Sequence, residues 1–304
     1  MHAQQTDSIL TSINNIIVGK PTVTKLALTC LLARGHLLIE DLPGVGKTTL
    51  AHTLALVLGL DFQRIQFTSD MLPADIIGVS VYQRDNNKFQ FHQGPLFSQL
   101  VLADEVNRAT PRTQSALLEA MEERQVSVEG HRYSLPDPFF VIATQNPSHQ
   151  IGTFPLPESQ LDRFLMRLAI GYPDKEAERH LLTGENRQDL LKRQQAVVNC
   201  EQLRMLQLAA NEIHIAPALI DYVQALLSYS RDSGKYHFGL SPRAGLGLIK
   251  AAKAWAMLEQ HEYVLPEDIQ AVFASVIGHR LQSREGETVE TLTAQFLTQV
   301  AIPS

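Results

Sequence analysis

The stretch Asp41-Leu42-Pro43-Gly44-Val45-Gly46-Lys47-Thr48 constrains this chain more than any other. It follows a short apolar run, Leu37-Leu38-Ile39-Glu40, that reads as a buried strand, and it opens a segment of helical character reaching Leu58. A strand, a glycine-bearing turn and a helix in that order make a phosphate cradle. Glycines let successive backbone N–H groups turn inward, and the helix N-terminus adds the positive end of its dipole. Lys47 is then expected at the β- and γ-phosphates of a nucleotide, with the Thr48 hydroxyl offered to Mg²⁺. The usual pattern begins with glycine, and here that position is Asp41.

Further apolar runs fall at 62–67, 100–103 and 139–143, separated by amphipathic stretches. Runs of this kind predict a sheet buried on both faces, the α/β layered arrangement. Two of them end in polar residues that suit phosphoryl chemistry. Leu100-Val101-Leu102-Ala103 leads into Asp104-Glu105, where Asp104 would hold Mg²⁺ and Glu105 would polarise an attacking water. Ile142-Ala143-Thr144-Gln145-Asn146-Pro147 places the Asn146 amide where it orients that water or touches the γ-phosphate, although Asn before Pro also marks a plain turn. In Leu161-Asp162-Arg163-Phe164-Leu165-Met166-Arg167 the two arginines stand four apart, on one face if the segment is helical. They read either as an ion-paired surface or as guanidinium groups for phosphate charge on a neighbouring subunit.

Beyond Gly171-Tyr172-Pro173 the apolar period becomes helical. Leu219, Tyr222, Val223, Leu226 and Leu227 line one face, and Ile269, Val272, Phe273, Val276 and Ile277 another, with prolines at expected helix starts such as Pro242 and Pro266. Trp255 is expected in the core of this helical part.

Only 19% of the 304 residues are charged, 44% are hydrophobic and the net charge is −6, which excludes a disordered chain and a generally basic nucleic-acid binder. The two cysteines, Cys30 and Cys200, make no disulfide framework and suit a reducing compartment. Residues 1–8 show no signal peptide, and no run approaches a membrane span, so a cytoplasmic protein without membrane insertion is expected. The eleven histidines form no zinc-spaced cluster and read as surface or satisfied interior groups. Glu119, Glu122 and Glu123 read as a solvated helix face, while Arg108 and Arg112 are weaker candidates for contact with another subunit.

Taken in order, Val18-Gly19-Lys20, the Glu40-to-Thr48 loop, Asp104-Glu105-Val106-Asn107-Arg108-Ala109, Ala143-to-Pro147, Leu161-Asp162-Arg163-Phe164 and Leu240-Ser241-Pro242-Arg243-Ala244 resemble the AAA+ ATPases, and among them the MoxR group. Glu-Asp before the loop is common in that group, which accounts for Asp41. The resemblance implies an AAA+ P-loop core with a parallel sheet flanked by helices over 1–172 and an all-helical lid over 173–304. It implies a helix-2 insertion at about 70–93, carrying Asp75-Ile76-Ile77-Gly78, and a hairpin at about 124–135 around Glu129-Gly130. It also implies Walker A contacts from Pro43, Gly44, Val45, Gly46, Lys47, Thr48 and Thr49, with Val18 and Gly19 flanking adenine. Thr48 and the Walker B Asp104 would hold Mg²⁺, and Glu105, Asn146 as sensor 1, Arg163 as arginine finger and Arg243 as sensor 2 would carry catalysis. Lys20 stands where relatives often have glutamine. Arg243 is expected to act on either its own nucleotide or a neighbour's, because the lid is displaced in this clade.

The implied function is an ATP-driven, chaperone-like remodeller, assembled as a homo-oligomeric ring, a hexamer, with a von Willebrand factor A domain partner. Helicases of the minichromosome-maintenance type share the insertion and hairpin, so a nucleic-acid translocase is one alternative. The acidic net charge and the lack of an appended nucleic-acid domain argue against it. A chelatase or activase motor subunit is another, which the wording of the P-loop disfavours.

Overall fold

A computed structural model describes residues 2–84, 87–146 and 152–302. Pro147 therefore lies outside the described residues, as do two residues within the 70–93 stretch. In chain order the elements are α1 (His2–Ile16), α2 (Pro21–Leu32), β1 (Leu37–Glu40), α3 (Lys47–Val57), β2 (Phe62–Gln66), α4 (Pro73–Ile77), β3 (Gly78–Gln83), β4 (Lys88–Gln93) and β5 (Leu100–Asp104). A 3₁₀ turn (Val106–Arg108) precedes α5 (Pro111–Glu123), β6 (Gln125–Val128), β7 (His131–Ser134), β8 (Phe140–Gln145), α6 (Glu158–Leu161) and β9 (Met166–Leu168). Only helices follow: α7 (Lys175–Thr183), α8 (Arg187–Arg193), α9 (Cys200–Glu212), α10 (Pro217–Asp232), α11 (Pro242–Leu258), α12 (Pro266–Ile277) and α13 (Val289–Gln299).

The main sheet runs β2-β5-β8-β1-β9, and every pairing in it is parallel. Alternation along each strand divides its side chains between two cores. Leu37, Ile39, Leu100, Leu102, Phe140 and Ile142 enter one, shared with α1, α2 and α3. Leu38, Val101, Ala103, Val141 and Ala143 enter the other, under α5. With both faces covered, β5 and β8 are buried along their whole length, which explains their unbroken apolar sequence.

The first core continues without a break into α9 to α13, through Leu203, Leu226, Leu248, Phe273 and Phe296 among others. The helical part thus packs on the α2 side of the sheet and on β9. Trp255 lies at the margin of this core, half-buried beneath the Lys25 ammonium, which is 4.7 Å from the ring centre. The 70–93 stretch holds α4 and the antiparallel pair β3-β4, and β6-β7 forms the second hairpin. The two lean together where Phe91 stacks on Tyr133 at 4.1 Å.

One local expectation is corrected. Arg163 and Arg167 do not share a helical face, because α6 ends at Leu161 and the chain turns into β9. The Leu165 N–H donates to the His36 carbonyl at 2.8 Å, and Met166 to Leu168 pair with β1. Long-range pairing in the sheet overrides a spacing that fits a helix equally well.

His36, just before β1, is fully buried between Phe139 and Phe140. Its Nδ1 accepts from the Val141 N–H at 3.0 Å and its Nε2 donates to the Met121 carbonyl at 3.2 Å, so both nitrogens of the neutral ring are used. Burial pushes its pKa down to about 4, the Met121 hydrogen bond opposing and Arg124 adding to the shift. The ring stays neutral in the fold while an unfolded chain protonates near pH 6.5, so its contribution is complete above that pH and is lost as pH falls toward 4. The expected loss from this one group is on the order of 3 kcal/mol. Urea titrations across this range should show a midpoint that falls more steeply for the native chain than for His36→Asn.

Candidate active site

The glycines of the loop after β1 are required by backbone shape. Gly44 and Gly46 have φ of 84° and 96°, and nothing lies within 4 Å of a Cβ placed on either, so the loop stands open for an anion. Gly46 caps α3, which begins at Lys47, with Thr48 and Thr49 in its first turn. Asp41 anchors the start of the loop. Its Oδ1 accepts from the Leu42 N–H at 2.7 Å, and its Oδ2 from the N–H groups of Ile170 and Gly171, each at 2.6 Å. A glycine at this position has no carboxylate to tie the loop to the chain leaving β9.

Lys47 is 8% exposed, and its Nζ donates to the Asp41 carbonyl at 2.6 Å and to Asn146 Oδ1 at 3.2 Å. Burial lowers its pKa, and the negative charges of Asp41, Asp104 and Glu105 oppose that shift. Asn146 passes the connection on, since its Nδ2 donates to Glu105 Oε1 at 2.9 Å. Glu105 itself adopts a left-handed backbone, φ 57°, and its Oε2 accepts from Gln66 at 3.1 Å and from Arg108 at 2.8 Å. Arg108, considered above for contact with another subunit, is thus paired within the chain.

The Thr144 hydroxyl donates to Asp104 Oδ1 at 2.6 Å and accepts from the Glu105 N–H at 2.8 Å, locking the acid pair to β8. Arg64 on β2 reaches Asp104 Oδ2 through Nη2 at 2.7 Å and Nε at 3.2 Å. Sequence reasoning missed Arg64, Gln66 and Thr144 as partners of this site. Their roles come from strand register, in which Gln66 stands opposite Asp104.

Beside the loop lies a mainly apolar cavity of about 440 Å³, lined by Val18, Lys20, Val45, Ile170, Tyr172 and Leu182 among others. Gly19 lets the segment before α2 approach α7, since a Cβ there would meet the Ala177 Cβ at 2.5 Å. The Lys20 ammonium is turned to the Tyr172 carbonyl at 2.7 Å.

Arg163 and Arg243 are elsewhere. They line a different cavity, of about 300 Å³, together with Arg34, Arg124 and Lys250, and none of its lining residues is shared with the cavity beside the loop. Both converge on Glu122 at the end of α5: Arg163 Nε lies 3.4 Å from Oε2, and Arg243 Nη2 bonds Oε1. Glu122 is therefore the acceptor for two arginines as well as part of a solvated face. Arg167, on β9, pairs with Glu40 at 2.8 Å. Lys47, Asn146, Asp104 and Glu105 are thus brought together within one chain, and the two arginines are not.

A family model of the ATPase family associated with various cellular activities matches residues 36–166, and an AAA lid domain model matches residues 229–299. The Bacillus subtilis protein YeaC is 42% identical over 296 residues, covering 96% of this chain and 92% of that protein. Chaperone MoxR1 of Mycobacterium tuberculosis is 41% identical over 280 residues, 88% of this chain and 73% of its own, and Protein MoxR of Paracoccus denitrificans is 32% identical over 294 residues, 89% and 86%. The crystal structure of a candidate ATPase from Cytophaga hutchinsonii superposes with a TM-score of 0.90 at 35% identity, over 100% of this chain and 96% of that one. Identity at this level along most of both chains, on a fold with the same core and lid, makes this chain a member of the MoxR family of AAA+ ATPases.

Proposed function

We propose that this ATPase works as a ring of its own copies, a hexamer, in which each nucleotide is bound by one subunit and completed by Arg163 and Arg243 of the next. The reading is carried by their placement on a surface apart from the Lys47-Asn146-Glu105 chain. A guanidinium that stabilises phosphate charge must touch the phosphate, and the lining of a separate cavity by these two supports contact from another copy.

Within one site Pro43, Gly44, Val45, Gly46, Thr48 and Thr49 wrap the phosphates, and Val18 and Gly19 flank the base in the apolar cavity. The Lys47 ammonium, resting on the Asp41 carbonyl and the Asn146 amide, exchanges those neutral acceptors for phosphate oxygens. Glu105, oriented by Asn146 and Gln66, takes the proton of the attacking water. Among the described residues no cluster of three His, Cys, Asp or Glu side chains could enclose a metal. The Thr48 hydroxyl with the Asp104 carboxylate still fits Mg²⁺, which keeps several waters and substrate oxygens around it. Held by these two residues, Mg²⁺ would supply neutralisation of phosphate charge. Thr144 holds one Asp104 oxygen in place, and Arg64 balances its charge.

The ATPase cycle would remodel or mature a partner protein carrying a von Willebrand factor A domain. One of the relatives is named a chaperone, which supports the chaperone-like part of this reading. No described helix is long and apolar enough to cross a membrane.

Lys47→Ala should abolish ATP binding in a calorimetric titration, and wild-type affinity would remove the P-loop assignment. Glu105→Gln should bind ATP without turning it over. Used as bait in nuclease-treated source lysate, with ATP and again with ADP, it should retain a von Willebrand domain protein only with ATP. Capture of nucleic acid alone from untreated lysate would point to a translocase instead. Arg163→Ala and Arg243→Ala should bind ATP normally and lose hydrolysis by roughly 10³-fold. Turnover should return when either is mixed with Glu105→Gln, whose intact arginines complete the neighbouring site.

A further inference from the structure

Arg280, just beyond α12, carries a side chain that is 5% exposed and turned mainly onto the chain around Arg163. Its Nε donates to Asp162 Oδ1 at 2.7 Å. Its Nη2 donates to the carbonyls of Phe164 at 2.6 Å and Asp162 at 3.2 Å, and its Nη1 to that of Leu165 at 3.1 Å and to that of Val276. The neighbouring His279 adds a second bond to the Phe164 carbonyl, at 2.9 Å. The turn bearing Arg163 is closed by its own backbone bonds, the Arg163 N–H to the Gln160 carbonyl at 3.2 Å and the Phe164 N–H to that of Leu161 at 3.0 Å, and the helical part of the chain braces its remaining carbonyls.

The other oxygen of Asp162 accepts from the Ser241 hydroxyl at 3.2 Å. Ser241 is the N-cap of α11, and its hydroxyl oxygen also accepts from the Ala244 N–H at 3.1 Å, across the first turn that carries Arg243. One carboxylate therefore joins both arginine-bearing elements, Arg163 as its immediate chain neighbour and Arg243 through the helix cap. The two side chains reach opposite oxygens of Glu122, so their guanidinium groups are spaced for a single small anionic group.

A buried ion pair returns little net stability, whereas a planar guanidinium fork that reads four carbonyls and a carboxylate fixes geometry closely. Neither Arg280 nor Asp162 lines the cavity beside the P-loop. We infer that Asp162 and Arg280, with Ser241, are positioning residues that hold Arg163 and Arg243 at the spacing needed for the phosphate of a neighbouring copy. The inference rests on the trans reading of those arginines given above. It makes the helical part the frame on which the partner's active site is completed.

The test uses the full chain as Arg280→Lys and as Asp162→Asn, the latter keeping shape while removing charge. Each is measured for ATP affinity, for turnover alone and for turnover after mixing with Glu105→Gln. The expected result is wild-type affinity, a kcat lower by roughly 10²-fold, as misplacement of a phosphate-contacting group produces, and hydrolysis in the mixture above the sum of the separate proteins. Unchanged kcat would overturn the inference. So would a loss that mixing does not restore, when Arg163→Ala mixed in the same way is restored, and the trans reading would then stand. If Arg163→Ala is not restored either, the trans reading falls and takes the inference with it. Should circular dichroism show Arg280→Lys unfolded, Asp162→Asn decides by the same criteria.

Discussion

Parallel pairing of β8 between β1 and β5 is the constraint from which the site follows. In a parallel sheet all strands end at the same edge, so whatever follows each apolar run is delivered to one place. Here the P-loop follows β1, the acid pair ends β5, and Asn146 follows β8 between them. Asn146 can therefore bond Lys47 on one side and Glu105 on the other. A different strand order would leave the same motifs in the chain and separate their side chains.

Charge in that edge is balanced locally. Lys47 is buried and has its pKa lowered, yet three carboxylates act to keep it charged. Asp104 and Glu105 are held by Arg64 and Arg108 respectively. Buried or half-buried charges persist when each has a partner and hydrogen bonds, and here those partners also set direction. Asp41 extends the arrangement to the chain leaving β9, so the P-loop and the start of the helical part share one anchor.

The helical part has no core separate from the sheet. Its apolar side chains continue the core formed by α1, α2 and α3, which seats α11 against α2 and α12 against β9. That seat carries Arg243 to Glu122 and Arg280 to the Arg163 turn. The placement of both arginines away from the P-loop cavity is thus a consequence of where apolar area is buried.

The P-loop, the apolar strands, the acid pair and the change to helical period could be read directly, because each depends on neighbours in the chain or on a simple repeat. Antiparallel pairs fall within both stretches that the family resemblance marked, 70–93 and 124–135. The segment from Leu161 to Arg167 was not, since its spacing fits a helix and only pairing with β1 makes part of it a strand. Arg64 and Glu122 carried no sequence signal, and their partners lie 40 and 121 residues away. Local order along the chain was enough to read a P-loop ATPase with candidate acids and arginines. Which charges meet depends on the fold, because strand order and the shared core, not chain proximity, set the distances at which ion pairs form.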